Sequence, residues 1–269
     1  MPMAGIDLEI VGEGRDLVLL HSLLTDRSSY AALAARLAPE RRLILVNLPG
    51  FGASPRLAPG SEPLAGMADR IAALFDDLSL PPGTDVLGNG LGGFVGLTLA
   101  IRHGARFARL VLIGSAVAFP EPGRATFRAM ADKADTEGMA ALAGAAMLRM
   151  FPQAYIDANP AVIADRTAVF NAIDPHVFAA ACRALASLDL ASDLARIANP
   201  VLVVVGEHDG ATGASLGQDL AARLPDAGAV VLPGAGHAPH MQAPDALAAA
   251  IGPFLGLKRR GVRGRHAGR

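Results

Sequence analysis

The sequence predicts an α/β fold built on a mostly parallel sheet, and two observations lead to this prediction. Short runs of leucine and β-branched residues alternate along the chain with longer alanine-rich segments that have the period of a helix. Most of the short runs are apolar throughout, as expected for parallel strands that are buried on both faces. The predicted strands span residues 6–11, 17–20, 43–46, 85–87, 110–113, 201–205 and 230–232.

Helices are predicted between these strands, at residues 28–37, 64–78, 91–103, 216–223 and 244–254. The alternation is interrupted once, at residues 119–199, where prolines punctuate a segment in which Met, Ala and Phe recur at helical spacing. We therefore predict a core in two parts, residues 1–118 and 200–257, separated by an all-helical insertion. Residues 258–269 are predicted to form a basic, disordered tail.

Length and composition indicate one soluble domain. The chain has 269 residues, of which 52% are hydrophobic, so it can bury one large core. None of its apolar runs reaches the ~18 residues that a membrane span requires. Residues 1–11 lack the cationic start and the long apolar stretch of a secretory signal. We therefore expect a cytoplasmic protein that does not bind membranes.

The cysteine count and the charge distribution exclude further classes. Cys182 is the only cysteine, which excludes an internal disulfide and a metal site built from several thiolates. We expect it to be a small buried residue rather than a nucleophile. The last twelve residues hold six of the 24 Lys and Arg residues and no acidic residue. A basic segment this short on an acidic body indicates a solvated tail, so no nucleic-acid partner is expected.

A glycine-rich stretch with the sequence GNGLGG, here called the glycine turn (residues 88–93), lies between a predicted strand and a predicted helix. Its glycines at positions 88, 90 and 93 match the G-x-G-x-x-G pattern that cradles a pyrophosphate. A dinucleotide site also needs an acidic residue about 20 residues later, at the end of the next strand. Residues 110–115 contain none. We therefore expect no dinucleotide and no other organic cofactor.

Four other segments occur in a characteristic order around the glycine turn. The sequence LLHSL (19–23) ends an early strand, NLPGFGAS (47–54) follows the next, GEHD (206–209) ends a late strand, and PGAGH (233–237) follows the last. In order and spacing these segments resemble the α/β-hydrolase superfamily over nearly the whole chain. The opening HSLLT and the ending GHAPH are most similar to its enol-lactonase and small-ester hydrolase branch. The resemblance implies an α/β-hydrolase fold in which the insertion is a helical cap.

The resemblance also implies roles for individual residues. Such enzymes carry a nucleophile on a sharp turn between a strand and a helix, followed along the chain by an acid and a histidine. Asp209 matches the acid and His237 matches the base. The backbone N–H groups of Leu23 and Leu91 match the donors of the oxyanion hole. The family pattern G-x-S-x-G reads GNGLG in this chain, so that Gly90 stands where the nucleophilic serine is expected.

The missing serine leaves three hypotheses for the function. Removing the serine of one protease lowered turnover about 10⁶-fold, which argues against efficient covalent catalysis. A base formed by His237 and Asp209 could still act on a bound water or on an acidic proton of a small, largely apolar ester, lactone or carbonyl compound. A positioned base contributes about 10²–10⁴-fold. The alternatives are a non-catalytic protein that binds a small ligand, and a serine hydrolase inactivated by a change of serine to glycine.

The remaining polar residues are expected to have structural roles. His21, which ends a strand beside the oxyanion loop (residues 21–24), is expected to be structural, and His240 is expected to be a local packing or capping residue. No third ligand accompanies His237 and His240, so no metal site is predicted.

Three further expectations concern the pocket. Ser22 replaces a glycine common in the oxyanion loop, and its hydroxyl is not on the glycine turn, so we do not expect it to attack. Arg128 and Arg149 could bind a substrate carboxylate, although a solvated helix face is the more ordinary interpretation. Met and Phe residues of the insertion are expected to pack between helices, with two or three of them facing a compact, largely apolar ligand.

Overall fold

A seven-stranded sheet forms the centre of the computed structural model, which describes residues 5–258. Its strands are β1 (Leu8–Val11), β2 (Arg15–Leu20), β3 (Arg41–Val46), β4 (Asp85–Asn89), β5 (Leu110–Ile113), β6 (Val201–Gly206) and β7 (Ala227–Leu232). Each predicted strand is present, with ends that differ by a few residues. The predicted α/β architecture with a mostly parallel sheet is therefore confirmed.

The strand order places the chemically interesting segments at one edge of the sheet. The order is β1-β3-β2-β4-β5-β6-β7, and all neighbours are parallel except β1 and β3. In this register Leu19 of β2 lies opposite Leu45 of β3 and Leu87 of β4. Because parallel strands end at the same edge, the glycine turn after β4 lies near the segments that follow β2, β6 and β7.

Helices cover both faces of the sheet, because alternate strand residues point to opposite sides. Leu17 and Leu19 of β2 belong to a buried apolar cluster on one face, and Val18 and Leu20 belong to a cluster on the other. The helices are α1 (Ala31–Leu37), α2 (Pro63–Asp77), α3 (Leu91–His103), α4 (Glu121–Glu137), α5 (Ala143–Met150), α6 (Gln153–Ala158), α7 (Pro160–Asn171), α8 (Pro175–Ser187), α9 (Ala214–Arg223), α10 (Pro239–Gln242) and α11 (Pro244–Leu255). Helices α1 and α11 cover the first face, and α2, α3 and α9 cover the second.

The insertion between β5 and β6 is helical. Its described residues form α4–α8, with no strand other than an isolated bridge between Ala118 and Asp189. Pro160 and Pro175 lie in the first turns of α7 and α8, where the N–H that proline lacks has no partner within the helix. Helix α4 packs against α8. The helices lie inside the predicted insertion, whose boundaries at residues 119 and 199 remain a prediction.

Two predictions about composition can be compared with the structure. Cys182 lies on α8 and is fully buried, and burial raises the pKa of its thiol to about 12, as expected for an inert core residue. Within residues 5–258, no helix has both the length and the apolar character needed to cross a membrane. The predicted basic tail, residues 258–269, lies outside the described residues except for Lys258.

The start of α3 lies unusually close to the end of β2. An added Cβ at Gly92 would lie 2.1 Å from the carbonyl oxygen of Leu20 and 2.8 Å from that of His21. The N–H of Gly92 donates to the same His21 carbonyl at 3.0 Å. Backbone atoms cannot move aside as side chains do, so this position requires glycine. Part of the glycine content of the turn therefore serves packing rather than phosphate binding.

We predict that Gly92→Ala lowers the free energy of unfolding by about 1–3 kcal/mol or more, because the new methyl group overlaps the backbone of β2. Gly144→Ala is the matched control, since Gly144 lies exposed on α5 and an added Cβ meets nothing within 4 Å. This control should raise stability by about 0.4–1 kcal/mol. Urea unfolding of both variants measures the difference, and equal stabilities would contradict the proposed overlap.

Candidate active site

The glycine turn contains a sharp change of direction at Gly90. Strand β4 ends at Asn89 and α3 begins at Leu91, so one residue makes the turn. Gly90 adopts φ +51° and ψ −116°, a conformation that is strained for residues with a side chain and accessible to glycine. Its N–H donates to the carbonyl of Ile113 on the neighbouring strand at 2.9 Å. The turn is therefore held in this conformation by the sheet.

The space beside the Cα of Gly90 is bounded by a base and a hydroxyl. An added Cβ would lie 2.7 Å from Nε2 of His237 and 2.7 Å from Oγ of Ser22. Both distances are shorter than real Cβ contacts, so both side chains would have to shift to admit a side chain here. The structure thus brings together Gly90, His237 and Ser22, which are far apart in the sequence.

Asp209 holds the other nitrogen of the His237 ring. Nδ1 of His237 lies 2.9 Å from Oδ2 of Asp209, and both side chains are almost fully buried. Oδ1 of Asp209 accepts hydrogen bonds from the N–H groups of Ala211 and Thr212, each at 2.8 Å.

These contacts decide the charge of the acid and the tautomer of the base. Burial raises the pKa of Asp209, but the charge and hydrogen bond of His237, together with the two backbone donors, outweigh burial and lower the pKa below its usual value. An ionised carboxylate accepts only, so in the neutral imidazole Nδ1 carries the hydrogen. The lone pair on Nε2 then faces the Cα of Gly90.

Two hydrogen bonds to the backbone of His237 fix its position. The side-chain amide of Asn89 donates to the carbonyl of His237 at 2.9 Å, and the N–H of His237 donates to the carbonyl of Met150 at the end of α5 at 3.0 Å. The base is therefore tied both to the glycine turn and to the helical insertion. Sequence reasoning missed these two anchors. The only signal for the first was a polar Asn89 between two glycines.

His21 shapes the oxyanion loop (residues 21–24). Its Nε2 accepts from the N–H of Leu48 at 3.0 Å, so Nδ1 carries the hydrogen and donates to the carbonyl of Ser22 at 2.8 Å. Burial lowers the pKa of His21 to about 4, so the ring is neutral near pH 7. These contacts agree with the structural role predicted for His21.

The backbone N–H groups of Leu23, in this loop, and of Leu91, at the start of α3, face the same pocket. Among residues 5–258, neither Leu23 nor Leu91 donates its N–H to a protein acceptor, although both residues are buried and line the same pocket. Unpaired buried donors are rare in folded proteins. Both groups are therefore available to an oxygen atom of a ligand.

A small pocket, here called the central pocket, opens above Gly90. It is lined by Ser22, Leu23, Leu24, Gly90, Leu91, Phe94, Phe119, Phe127, Met130, Arg149, Leu185, Ala211, Thr212 and His237. The pocket is narrow. Three Met and Phe residues of the insertion line it, namely Phe119, Phe127 and Met130. The lining is mostly apolar, with the base and one arginine as its charged or titratable groups.

The two arginines considered from the sequence have different surroundings. Arg128 is exposed and pairs with Glu121, as expected for a solvated helix face. Arg149 instead lines the central pocket, and burial lowers the pKa of its guanidinium. The solvated-face interpretation is therefore wrong for Arg149.

His240 has the packing role that was expected. Its ring is fully buried 4.6 Å from the ring of Tyr30, and within residues 5–258 neither ring nitrogen has a hydrogen-bond partner. Burial lowers its pKa to about 3. The short helix α10 that carries it was not predicted.

Comparison with known proteins assigns the family. A family model described as "Alpha/beta hydrolase family" matches residues 17–250. Pimeloyl-acyl-carrier-protein methyl ester esterase of Nitrosomonas europaea is 30% identical over 257 residues, covering 90% of this chain and 96% of the relative. The 3-oxoadipate enol-lactonase 2 of Acinetobacter baylyi is 27% identical over 235 residues, covering 87% and 86%.

A solved structure agrees with these sequence matches. The enol-lactonase from Burkholderia xenovorans LB400 superimposes with a TM-score of 0.85 at 31% identity, covering 93% of this chain and 96% of that one. The α/β-hydrolase fold expected from the motif order is confirmed, and enol-lactonases are among its neighbours. With a matching family model over most of its length, the chain belongs to the alpha/beta hydrolase family.

Proposed function

We propose that the protein hydrolyses a small, largely apolar ester or lactone, with His237 as general base and Gly90 at the position of the missing nucleophile. One observation carries the proposal: Nε2 of His237 lies 2.7 Å from the point where the Cβ of residue 90 would stand. In the family pattern that point carries the attacking hydroxyl. The names of two relatives, a methyl ester esterase and an enol-lactonase, support the substrate class.

Water supplies the attacking oxygen in this mechanism. Nε2 of His237 accepts a proton from a water molecule in the central pocket as the water oxygen forms a bond to the carbonyl carbon. Asp209, ionised and hydrogen-bonded to Nδ1, stabilises the imidazolium that results. The C–O bond of the ester or lactone then breaks, and the proton on Nε2 passes to the leaving oxygen. The products of an ester are a carboxylic acid and an alcohol, a lactone opens to one hydroxy acid, and the base returns to its starting state.

The oxyanion formed by this attack is stabilised by the free N–H groups of Leu23 and Leu91. Both donors are held by backbone that is already fixed, Leu91 by the first turn of α3 and Leu23 by the loop that His21 supports. A preorganised donor of this type contributes about 10²–10³-fold to turnover. The combination of base and donors therefore favours slow but measurable hydrolysis.

A protein that binds its ligand without turnover is the second candidate. It is favoured by the same position, because Gly90 offers no side chain for covalent chemistry while the central pocket is retained. A non-catalytic binder and a hydrolase inactivated by loss of its serine both predict no product formation. Product measurement on a panel of short esters and lactones separates them from the proposed hydrolase.

We predict that His237→Ala lowers turnover of a hydrolysed ester by about 10²–10⁴-fold, because the base is lost. His176→Ala is the matched control, since His176 is exposed on α8 and its nearest charged partner is Asp135. The control should retain full turnover. Circular dichroism verifies that both variants are folded. Undiminished turnover in His237→Ala would exclude His237 as the base.

We predict that Gly90→Ser gains covalent chemistry that the wild type lacks. With p-nitrophenyl acetate, the variant should show a burst of nitrophenolate and an acetyl group on residue 90 in the mass spectrum of the quenched protein. Gly90→Ala should show neither, although both variants lose stability by about 1–3 kcal/mol because φ is positive at this position.

The same mass measurement on the wild-type protein shows which group attacks the ester. Direct attack by water leaves no acyl group on the protein, whereas an acetyl group on Ser22 would show that the neighbouring hydroxyl attacks instead. A folded Gly90→Ser variant that is never acetylated would contradict the assignment of Gly90 to the nucleophile's position.

A further inference from the structure

Arg149 is the cation of the central pocket. It lies in the last turn of α5, and its side chain lines the same pocket as Gly90 and His237. Leu148, the preceding residue of the same helix, is strongly exposed. The guanidinium is instead directed inward, above the ring of Phe127 at 5.4 Å from its centroid.

The guanidinium of Arg149 has no carboxylate partner. Among residues 5–258, no Asp or Glu oxygen lies within 4.0 Å of it, and its one hydrogen bond runs from Nη2 to the carbonyl of Ala211 at 3.3 Å. Other arginines of the insertion do have such partners, for example Arg128 with Glu121 and Arg183 with Asp132. Arg149 thus retains most of its five N–H donors for another acceptor.

Asp209 does not provide that acceptor. Its negative charge acts on Arg149 from a distance, but its oxygens already accept from His237, Ala211 and Thr212. A half-buried cation without a hydrogen-bonded anion costs free energy, because the apolar surroundings replace water poorly. An anion that enters the pocket offsets this cost.

We propose that Arg149 binds a carboxylate on the substrate, so that the substrate of the central pocket is a short ester or lactone bearing a second, acidic group. This proposal rests on the proposed function and narrows its substrate class. The planar guanidinium presents paired N–H donors that match the two oxygens of a carboxylate. The apolar side chains of Phe127 and Met130 then contact the carbon atoms between the two groups.

Backbone hydrogen bonds hold the segment that carries Arg149 next to the segment that carries His237. The carbonyl of Met150, which directly follows Arg149, accepts from the N–H groups of His237 at 3.0 Å and Ala238 at 3.3 Å. The end of α5 is therefore attached to the loop that carries the base. Together, His237 and Arg149 select substrates by the spacing between the reacting carbonyl and the carboxylate. The limited room in the pocket favours a short spacing.

The test compares two methyl esters of similar shape. Monomethyl succinate carries a carboxylate, and methyl 4-methylpentanoate carries an isopropyl group in its place. We expect the wild type to prefer monomethyl succinate in kcat/KM. Arg149→Met should lower kcat/KM for this ester by about 10- to 100-fold, as expected for loss of charge-assisted hydrogen bonds, and mainly through KM. Activity on methyl 4-methylpentanoate should be equal or higher.

Matched variants separate the charge from the packing of the side chain. Arg149→Lys keeps the charge without the planar donors and should retain part of the preference. Arg128→Met removes an exposed arginine of the neighbouring α4 and should leave both esters unaffected. If Arg149→Met lowers activity on both esters equally, the role of Arg149 is structural and the proposal is overturned.

A binding measurement distinguishes failure of this proposal from failure of the proposed hydrolysis. Calorimetric titration with succinate is carried out on the wild type and on Arg149→Met. Succinate binding that depends on Arg149, without hydrolysis of either ester, supports the carboxylate site and contradicts the proposed function. Hydrolysis that depends on His237 but shows no preference between the esters overturns the carboxylate site alone. Absence of both hydrolysis and succinate binding overturns both.

Discussion

The hydrogen bond between Nδ1 of His237 and Asp209 is the interaction on which the candidate site depends. It fixes the tautomer of the ring and turns Nε2 toward Gly90. The bond joins segments that follow two different strands, β6 and β7, and these meet because parallel strands end at one edge of the sheet. The sheet therefore positions His237 and Asp209 relative to Gly90.

The glycine turn joins β4 to α3 through a single residue, Gly90, that has a positive φ. A serine at position 90 would be strained by the positive φ, whereas glycine adopts this conformation without that cost. Gly92 is required for a different reason, the close approach of α3 to the backbone of β2. Folding therefore favours glycine at both positions, and only chemistry would favour serine at one of them.

The helical insertion is part of the candidate site rather than a separate cover. Its helix α5 ends against the loops that carry Asp209 and His237, through the carbonyl of Met150 and the hydrogen bond from Arg149 to Ala211. Phe127 and Met130 of α4 provide apolar surface for a ligand. His237, Leu23, Leu91 and Arg149 thus surround one small space.

The α/β class, the strands, most core helices and the order of the family motifs follow from the sequence, because they depend on local periodicity and on spacing along the chain. Helix α3, for example, spans the predicted residues 91–103. The sequence also placed Gly90, Asp209 and His237 in segments that parallel strands must bring together.

The contacts between side chains of distant segments could not be predicted from local sequence patterns. Asn89 anchors the carbonyl of His237, Ser22 faces Gly90, and Arg149 points into the pocket while Arg128 points to solvent. The sequence around a helical arginine looks the same whether its side chain points into a pocket or into solvent. That direction depends on which surface the helix packs against, and that contact is made between residues far apart in the sequence.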